Sequence, residues 1–122
     1  MSPNSLSKSV AIVGVADTAV GFRPDASGNQ LCVEAIVGAL ADAGLQPADV
    51  DGLITTNSLV EPYFYYSEMI SEYMQIFPRM ALTLPTGGGT TGAAITHASA
   101  AIAAGICQTI VIAHGDNLAT RL

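Results

Sequence analysis

The sequence predicts an α/β fold with a mostly parallel sheet and a buried central helix. Short, continuous apolar runs are typical of strands that are covered on both faces. Between these runs, apolar residues recur every three or four positions, which is the spacing of amphipathic helices. The order of strand, helix and strand favours parallel strands joined by right-handed crossovers, and 122 residues fit a single domain, 1–122.

The first third of the chain contains one complete strand, helix and strand unit. Residues 10–15, VAIVGV, predict a central strand because no polar side chain interrupts them. A helix is predicted from Cys32 to Ala43, and Gly44 ends it because glycine adopts left-handed dihedral angles at little cost. Residues 53–56, LITT, form the second predicted strand.

The middle of the chain is rich in aromatic residues. Helical spacing predicts a helix from Tyr66 to Phe77, which ends before Pro78 because a residue that precedes proline disfavours the α conformation. Core packing is the main interpretation of the aromatic group at residues 63–73, with an acyl pocket or a dimer surface as alternatives. Residues 80–84, MALTL, form the third predicted strand.

A glycine-rich turn and a helix of small residues follow the third strand. The turn at residues 85–92, PTGGGTTG, lacks the lysine of a P-loop, so its glycines alone give little support to nucleotide binding. Residues 93–104 carry no formal charge and are small on every face, which predicts a helix buried on all sides, with His97 as a core histidine. The helix ends at Gly105, and residues 109–113, TIVIA, form the fourth strand.

Composition excludes several classes of function. The net charge is −6 and the few cations lie far apart in sequence, so the chain has no basic patch for nucleic acid. No apolar run approaches the roughly 18 residues that span a bilayer, and no export signal is evident, so a cytoplasmic protein is expected. Cys32 and Cys107 have no neighbours at ligand spacing, which favours buried free thiols over a metal site.

The order and spacing of these elements resemble the thiolase superfamily, especially its sterol-carrier-protein-x and acetyl-CoA acetyltransferase-like branch. The likeness rests on residues 81–117, where a strand, a tight turn, a small-residue helix, a glycine and a strand ending near Gly115-Asp116 follow one another. It extends to the opening strand and to the DAGL run at residues 42–45. The resemblance implies an acyl-CoA enzyme, with residues 1–122 as a partial N-terminal domain.

In thiolases a nucleophilic cysteine lies in the turn before the buried helix, where the positive end of the helix lowers its pKa. The resemblance puts that position on Gly88, or on Gly89 if the alignment shifts by one residue, and a glycine is no nucleophile. The backbone N–H groups of Gly88 and Gly89 would still bind a thioester oxygen or an enolate. Thr90 and Thr91 have no identifiable base in the sequence, so helix capping is predicted for either threonine.

His114 and Asp116 complete the candidate site. Both follow the fourth strand, and ligands gather at the carboxyl ends of parallel strands. Together with Gly88, Gly89 and Thr90 they form the predicted substrate-binding set, and no metal site is predicted. By resemblance the substrate is a coenzyme A thioester, and no bound cofactor is expected.

Two classes of function follow from the resemblance. The first is a thiolase-like acyl-CoA acyltransferase or, alternatively, a Cys-independent retro-aldolase that acts on acyl-CoA thioesters with a partner protein. The second is a non-catalytic module for lipid or acyl binding or for oligomerisation, which Gly88 favours. The family's Gly-His-Pro and Cys-x-Gly motifs are absent, and by resemblance the first half lacks its last strand, which leaves a sheet edge open. We therefore expect the chain alone to be inactive, and to form a homodimer or bind a companion chain that supplies the C-terminal half.

Overall fold

A computed structural model describes residues 7–61 and 63–121 of the chain. In this part helices and strands alternate, with short 3-10 turns at Pro47–Asp49 and Gly87–Gly89. The helices and strands are, in chain order, α1 (Gly28–Ala43), β1 (Gly52–Thr55), α2 (Tyr66–Met74), β2 (Met80–Thr83), α3 (Thr90–Ala103), β3 (Ile110–Ala113) and α4 (Leu118–Arg121).

Three strands in the described part of the chain form one parallel sheet, in the order β2-β1-β3. Ile54 of β1 lies between Leu82 of β2 and Ile112 of β3 in the register. Asp51 fixes the start of β1 against β3, because its carboxylate accepts a hydrogen bond from the N–H of Thr109 at 2.8 Å. The predicted α/β class with a parallel sheet is therefore confirmed.

Helices lie on both faces of the sheet, because side chains of a strand alternate between its two faces. α1 and α2 pack on one face, where Ile36 and Leu53 belong to the same buried cluster. α3 packs on the other face, where Ala94 and Ala98 contact Ile54. The core is thus divided between two layers, and the sheet separates them.

The burial of α3 differs from the sequence prediction. Only one face of the helix is buried within the described residues, and His97 lies on an exposed face. The prediction of a buried core histidine is therefore wrong, because no further layer of the described chain covers that side of α3. The buried face consists of Thr90, Ala94, Ala98 and Ala101.

The predicted first strand does not form within the described residues. Residues 10–15 have no ladder partner in the part of the chain that the structure describes, and Val13 and Val15 are 65% and 70% exposed. Asp42 of α1 holds the segment, since its Oδ2 accepts a hydrogen bond from the N–H of Val15 at 2.9 Å. The prediction of a central strand is therefore wrong for this chain, because none of the described strands lies beside the segment.

Most other boundaries agree with the sequence. α1 ends at Gly44, whose φ of 71° lies in the left-handed region, as predicted. A capping box of Ser27 and Gln30 fixes its other end. α2 ends earlier than predicted, because Gln75 adopts a left-handed φ of 55°.

Within the described residues, no helix is long and apolar enough to cross a membrane.

The aromatic group around α2 is only partly core. Tyr66 is fully buried, whereas Tyr63, Phe64 and Tyr73 are exposed. Tyr65 is exposed as well, so core packing is confirmed for Tyr66 and wrong for the other four aromatic residues. The register of α2 explains the difference, since Tyr66 and Ile70 lie one turn apart on the face that meets the sheet.

Candidate functional site

A cavity of about 750 Å³ lies at the carboxyl ends of β1 and β3, beside the turn that leads into α3. Open α/β sheets bind ligands outside the carboxyl ends of their strands. The loop after β1, the glycine turn and the end of β3 all contribute to its wall. The wall includes Thr56, Asn57, Leu59, Gly88, Thr91 and His114.

The glycine turn presents bare backbone beside this cavity. Gly87–Gly89 lead directly into α3, and all three glycines are exposed. A β-carbon on Gly88 or Gly89 would meet no atom within 4 Å, so the space above both residues is open. The first N–H groups of a helix have no partner within that helix, and its positive end attracts negative charge. The turn is therefore suited to bind an anionic oxygen.

Thr90 holds this turn in shape. Its buried hydroxyl lies 2.9 Å from the hydroxyl of Thr86 and 3.3 Å from the carbonyl oxygen of Leu84, to which it donates a hydrogen bond. The N-cap of α3 is Gly89, so neither Thr90 nor Thr91 occupies the capping position that the sequence suggested. Gly87 has a φ of 63°, which favours glycine at the start of the turn.

The hydroxyl groups of Thr55, Ser67 and Thr83 form a hydrogen-bonded network next to the cavity. Thr55 Oγ1 lies 2.7 Å from Ser67 Oγ, and Thr83 Oγ1 lies 3.1 Å from the same atom. Thr83 Oγ1 also accepts a hydrogen bond from the N–H of Ser67 at 3.0 Å, and the Ser67 hydroxyl contacts the carbonyl of Leu82. The network joins the start of α2 to the ends of β1 and β2, which fixes the strand ends relative to each other.

The structure gives His114 and Asp116 different positions. His114 is exposed and lines the cavity directly after β3. Asp116 does not line the cavity: its Oδ1 accepts a hydrogen bond from the Ser58 hydroxyl at 2.8 Å, and its Oδ2 accepts one from the N–H of Leu59 at 2.6 Å. Asp116 therefore acts on the cavity through the loop that carries Leu59.

The loop after β1 is the part of the site that the sequence reasoning missed. Asn57 and Leu59 line the cavity, and Glu61 joins the loop to α1 by accepting a hydrogen bond from the N–H of Gly28 at 2.8 Å. Their position directly after a predicted parallel strand was the available signal, because such loops lie where ligands bind.

Neither cysteine lines the cavity. Both are buried free thiols, as predicted. Burial raises the pKa of Cys32 to about 12, and burial is also the main reason that the pKa of Cys107 is raised. Across residues 7–61 and 63–121, no three His, Cys, Asp or Glu side chains come together as a potential metal site.

Comparison with known proteins relates the chain to parts of longer proteins, although no protein-family model matches it. The chain is 35% identical over 103 residues to a steroid side-chain-cleaving aldolase of Thermomonospora curvata. It is 36% identical over 108 residues to 17-hydroxy-3-oxo-4-pregnene-20-carboxyl-CoA lyase of Mycobacterium tuberculosis, and 29% identical over 111 residues to an acetyl-CoA acetyltransferase of Methanothermobacter thermautotrophicus. These matches include 83%, 87% and 88% of this chain but 25%, 27% and 29% of the relatives. The chain thus spans little more than a quarter of their length.

Solved structures show the same fold. The Ltp2-ChsH2(DUF35) aldolase matches 92% of this chain and 28% of its own, with a TM-score of 0.79 and 31% identity. A monomeric SCP2-thiolase like protein from Mycobacterium smegmatis matches 83% of this chain and 22% of its own, with a TM-score of 0.66 and 24% identity. The chain therefore carries part of a thiolase-like α/β fold.

Proposed function

We propose that this chain is part of a Cys-independent acyl-CoA lyase that cleaves a β-hydroxyacyl-CoA thioester by a retro-aldol reaction. The observation that carries the proposal is the turn at Gly88 and Gly89, which has open space above it at the start of α3. A thiolase-type reaction needs a nucleophile that accepts the acyl group, and glycine supplies none. The similarity to proteins named as a steroid side-chain aldolase and a lyase supports the same chemistry.

A retro-aldol cleavage proceeds without a covalent acyl-enzyme. A base removes the proton of the β-hydroxyl group, its oxygen forms a carbonyl, and the bond between the α- and β-carbons breaks. The electrons of that bond move onto the thioester as an enolate, which takes up a proton to give a shortened acyl-CoA. In our proposal the N–H groups of Gly88 and Gly89 bind the enolate oxygen, a type of contact whose loss slows other enzymes by roughly 100- to 1,000-fold.

His114 is the residue of this chain that is placed to move a proton in the cavity. An imidazole changes charge near neutral pH, and the other described lining residues are apolar or carry only hydroxyl or amide groups. In our proposal a second acid or base comes from outside the described residues of the cavity wall. We propose that a companion chain supplies it, that the chain alone is inactive, and that the substrate is a coenzyme A thioester with a bulky, steroid-type acyl group.

A thiolase-like acyltransferase is the second candidate, and the similarity to an acetyl-CoA acetyltransferase favours it. That reaction would need a nucleophile from another residue or chain, since Thr90 is engaged with Thr86 and Leu84. The lyase has stronger support because the aldolase and lyase relatives share more identity with this chain.

Turnover by the native assembly tests the proposal. The chain is isolated together with its companion, incubated with a β-hydroxyacyl-CoA, and its intact mass is recorded while the products are identified by mass spectrometry. We expect a carbonyl compound, which is a ketone if the β-hydroxyl group is tertiary and an aldehyde if it is secondary, and a shortened acyl-CoA, with no acyl adduct on the chain. An acyl adduct during turnover, or thiolysis of a 3-oxoacyl-CoA without any lyase activity, would contradict the proposal and favour the acyltransferase.

A further inference from the structure

Asn57 lines the cavity with a carboxamide that has no structural task in the described part of the chain. Asparagine is favoured in loops for two reasons: it tolerates left-handed dihedral angles, and its side chain forms hydrogen bonds to nearby backbone. The φ of Asn57 is not in the left-handed region. Its exposed side chain makes no hydrogen bond to any residue that the structure describes. The carboxamide is therefore free to bind a ligand in the cavity.

The residues on both sides of Asn57 hold the loop in place. Before it, Thr55 is buried and its hydroxyl belongs to the network at the ends of β1 and β2. After it, Ser58 Oγ accepts a hydrogen bond from the N–H of Glu61 at 2.9 Å and donates one to Asp116 at 2.8 Å. A fixed backbone limits the positions that the carboxamide can take, so little freedom is lost when a ligand binds to it.

The strand order places Asn57 between the two parts of the proposed site. β1 is the central strand, and its last residue, Thr55, pairs with Thr83 of β2 and Ala113 of β3. The segment after β2 leads to the glycine turn, and His114 follows β3 directly. Neighbouring strands lie about 4.8 Å apart. Asn57, which follows β1, is therefore flanked by the strand that leads to the turn and by the strand that leads to His114.

A β-hydroxyacyl thioester has its two oxygens in a matching arrangement. In the proposed reaction the glycine turn binds the thioester oxygen, and His114 takes the proton of the hydroxyl group. A single carbon atom separates the thioester carbon from the β-carbon, so the hydroxyl group lies close to both of these contacts. A carboxamide donates hydrogen bonds through its nitrogen, and a hydroxyl oxygen accepts them. Thr55 and Thr90 of the same wall already have hydrogen-bond partners.

We infer that Asn57 binds the β-hydroxyl group of the substrate, with its side-chain nitrogen donating a hydrogen bond to the hydroxyl oxygen. The inference rests on the proposed function, which supplies the β-hydroxyacyl thioester. The hydrogen bond leaves the hydroxyl proton directed at His114. It also makes Asn57 a specificity residue, because a ligand without the hydroxyl group leaves the carboxamide unpaired and binds more weakly.

Binding of two unreactive probes to the native assembly tests this inference. Both probes are coenzyme A thioethers with the same cyclohexyl group, and one carries a hydroxyl group on the carbon that corresponds to the β-carbon. Neither is cleaved, because a thioether cannot take up electrons as an enolate. Titration calorimetry therefore measures recognition of the hydroxyl group apart from turnover. We expect the hydroxyl probe to bind about tenfold more tightly than the probe without it.

Two matched variants assign this preference to a residue. Asn57→Leu keeps the approximate size of the side chain and removes its hydrogen-bonding groups, so we expect the preference to fall below about twofold. The affinity for the probe without a hydroxyl group should stay the same. Gln108→Leu is the control, because Gln108 carries an exposed carboxamide outside the cavity, and it should keep the full preference.

Three results would overturn the inference. The first is an unchanged assembly that does not prefer the hydroxyl probe, and the second is the same preference in Asn57→Leu and Gln108→Leu. The third is a preference that Thr56→Val abolishes and Asn57→Leu keeps, since the neighbouring hydroxyl would then bind the ligand. Failure of the proposed reaction is distinguishable: no shortened acyl-CoA forms from a β-hydroxyacyl-CoA, while the preference for the hydroxyl probe still depends on Asn57.

Discussion

Asp116 holds Leu59 in place: the Oδ2 atom of Asp116 accepts a hydrogen bond from the N–H of Leu59 at 2.6 Å. Its other carboxylate oxygen accepts a hydrogen bond from the Ser58 hydroxyl at 2.8 Å. The end of β3 thereby fixes the loop that follows β1, although the two lie far apart in sequence. One wall of the candidate site depends on a residue that does not line it.

Replacing Asp116 should loosen that wall. Asp116→Ala removes these two hydrogen bonds and a third from the N–H of Asn117, all to a charged acceptor, so we expect the free energy of unfolding to fall by about 2 kcal/mol or more. Hydrogen exchange of residues 57–61 should also become faster. Glu72→Ala, which removes an exposed carboxylate from α2, is the control. Equal urea midpoints for the two variants would show that the contacts of Asp116 do not stabilise the fold.

Gly115 lies directly against the backbone of Cys32. A β-carbon at position 115 would overlap the backbone nitrogen and α-carbon of Cys32. We expect Gly115→Ala to lower the free energy of unfolding by about 3 kcal/mol, the upper end of overpacking effects. Gly92→Ala, within α3 and with open space around it, should leave stability unchanged or raise it by up to about 1 kcal/mol. Urea denaturation measures the free energy of unfolding of both variants. Equal values for Gly115→Ala and Gly92→Ala would contradict the close packing of Gly115 against Cys32.

A cysteine at position 88 measures the electrostatic effect of the turn. Open space admits the side chain of Gly88→Cys without a clash, and the positive end of α3 should lower the pKa of the new thiol to about 7 or below. The control is Ala103→Cys at the other end of α3, whose thiol should keep a pKa of about 8.5 or higher. The pH dependence of alkylation by iodoacetamide reports both values. The same pKa at the two sites would contradict a favourable anion site at the turn.

Cys32 should make the fold less stable at high pH. Burial raises its pKa in the folded chain to about 12, above the ordinary value of 9.0. The unfolded chain therefore loses the thiol proton first, so the stabilisation is complete below about pH 9 and is lost as the pH rises toward 12. Urea unfolding of Cys32→Ala should show a smaller decline from pH 9 to 10 than the unchanged chain, because Cys107 and Tyr66, whose pKa values burial also raises, are present in both proteins. A decline as steep as in the unchanged chain would contradict this account.

Local patterns predicted most of the fold. Apolar spacing and turn residues correctly predicted the positions of α1, β1, β2 and β3. Residues that end a helix, such as Gly44, act through short-range backbone preferences, which the local sequence shows. Residues 10–15 have the composition of a central strand, but pairing needs a neighbouring strand that no local pattern reveals. The exposure of His97 has the same origin, since the sequence of α3 does not show how many of its faces are covered.

The sequence predicted the part of the candidate site that depends on local strand positions. Gly88 and His114 follow predicted strands, and the structure places both on one cavity. The loop after β1 and the role of Asp116 depend on hydrogen bonds between segments that are distant in sequence. Such contacts leave no periodic signal, so Asp116 looked like a binding residue when it positions Leu59 instead.

The measurement that most directly tests the role of the glycine turn is kcat/KM for cleavage of a β-hydroxyacyl-CoA by the native assembly carrying Gly88→Val. The valine side chain enters open space and covers the N–H groups of the turn, so the variant should fold. We predict a loss of about 100-fold in kcat/KM, as for removal of an oxyanion-binding donor, while Gly92→Ala keeps its activity. An unchanged kcat/KM in Gly88→Val would contradict the claim that this bare turn binds the reacting thioester oxygen.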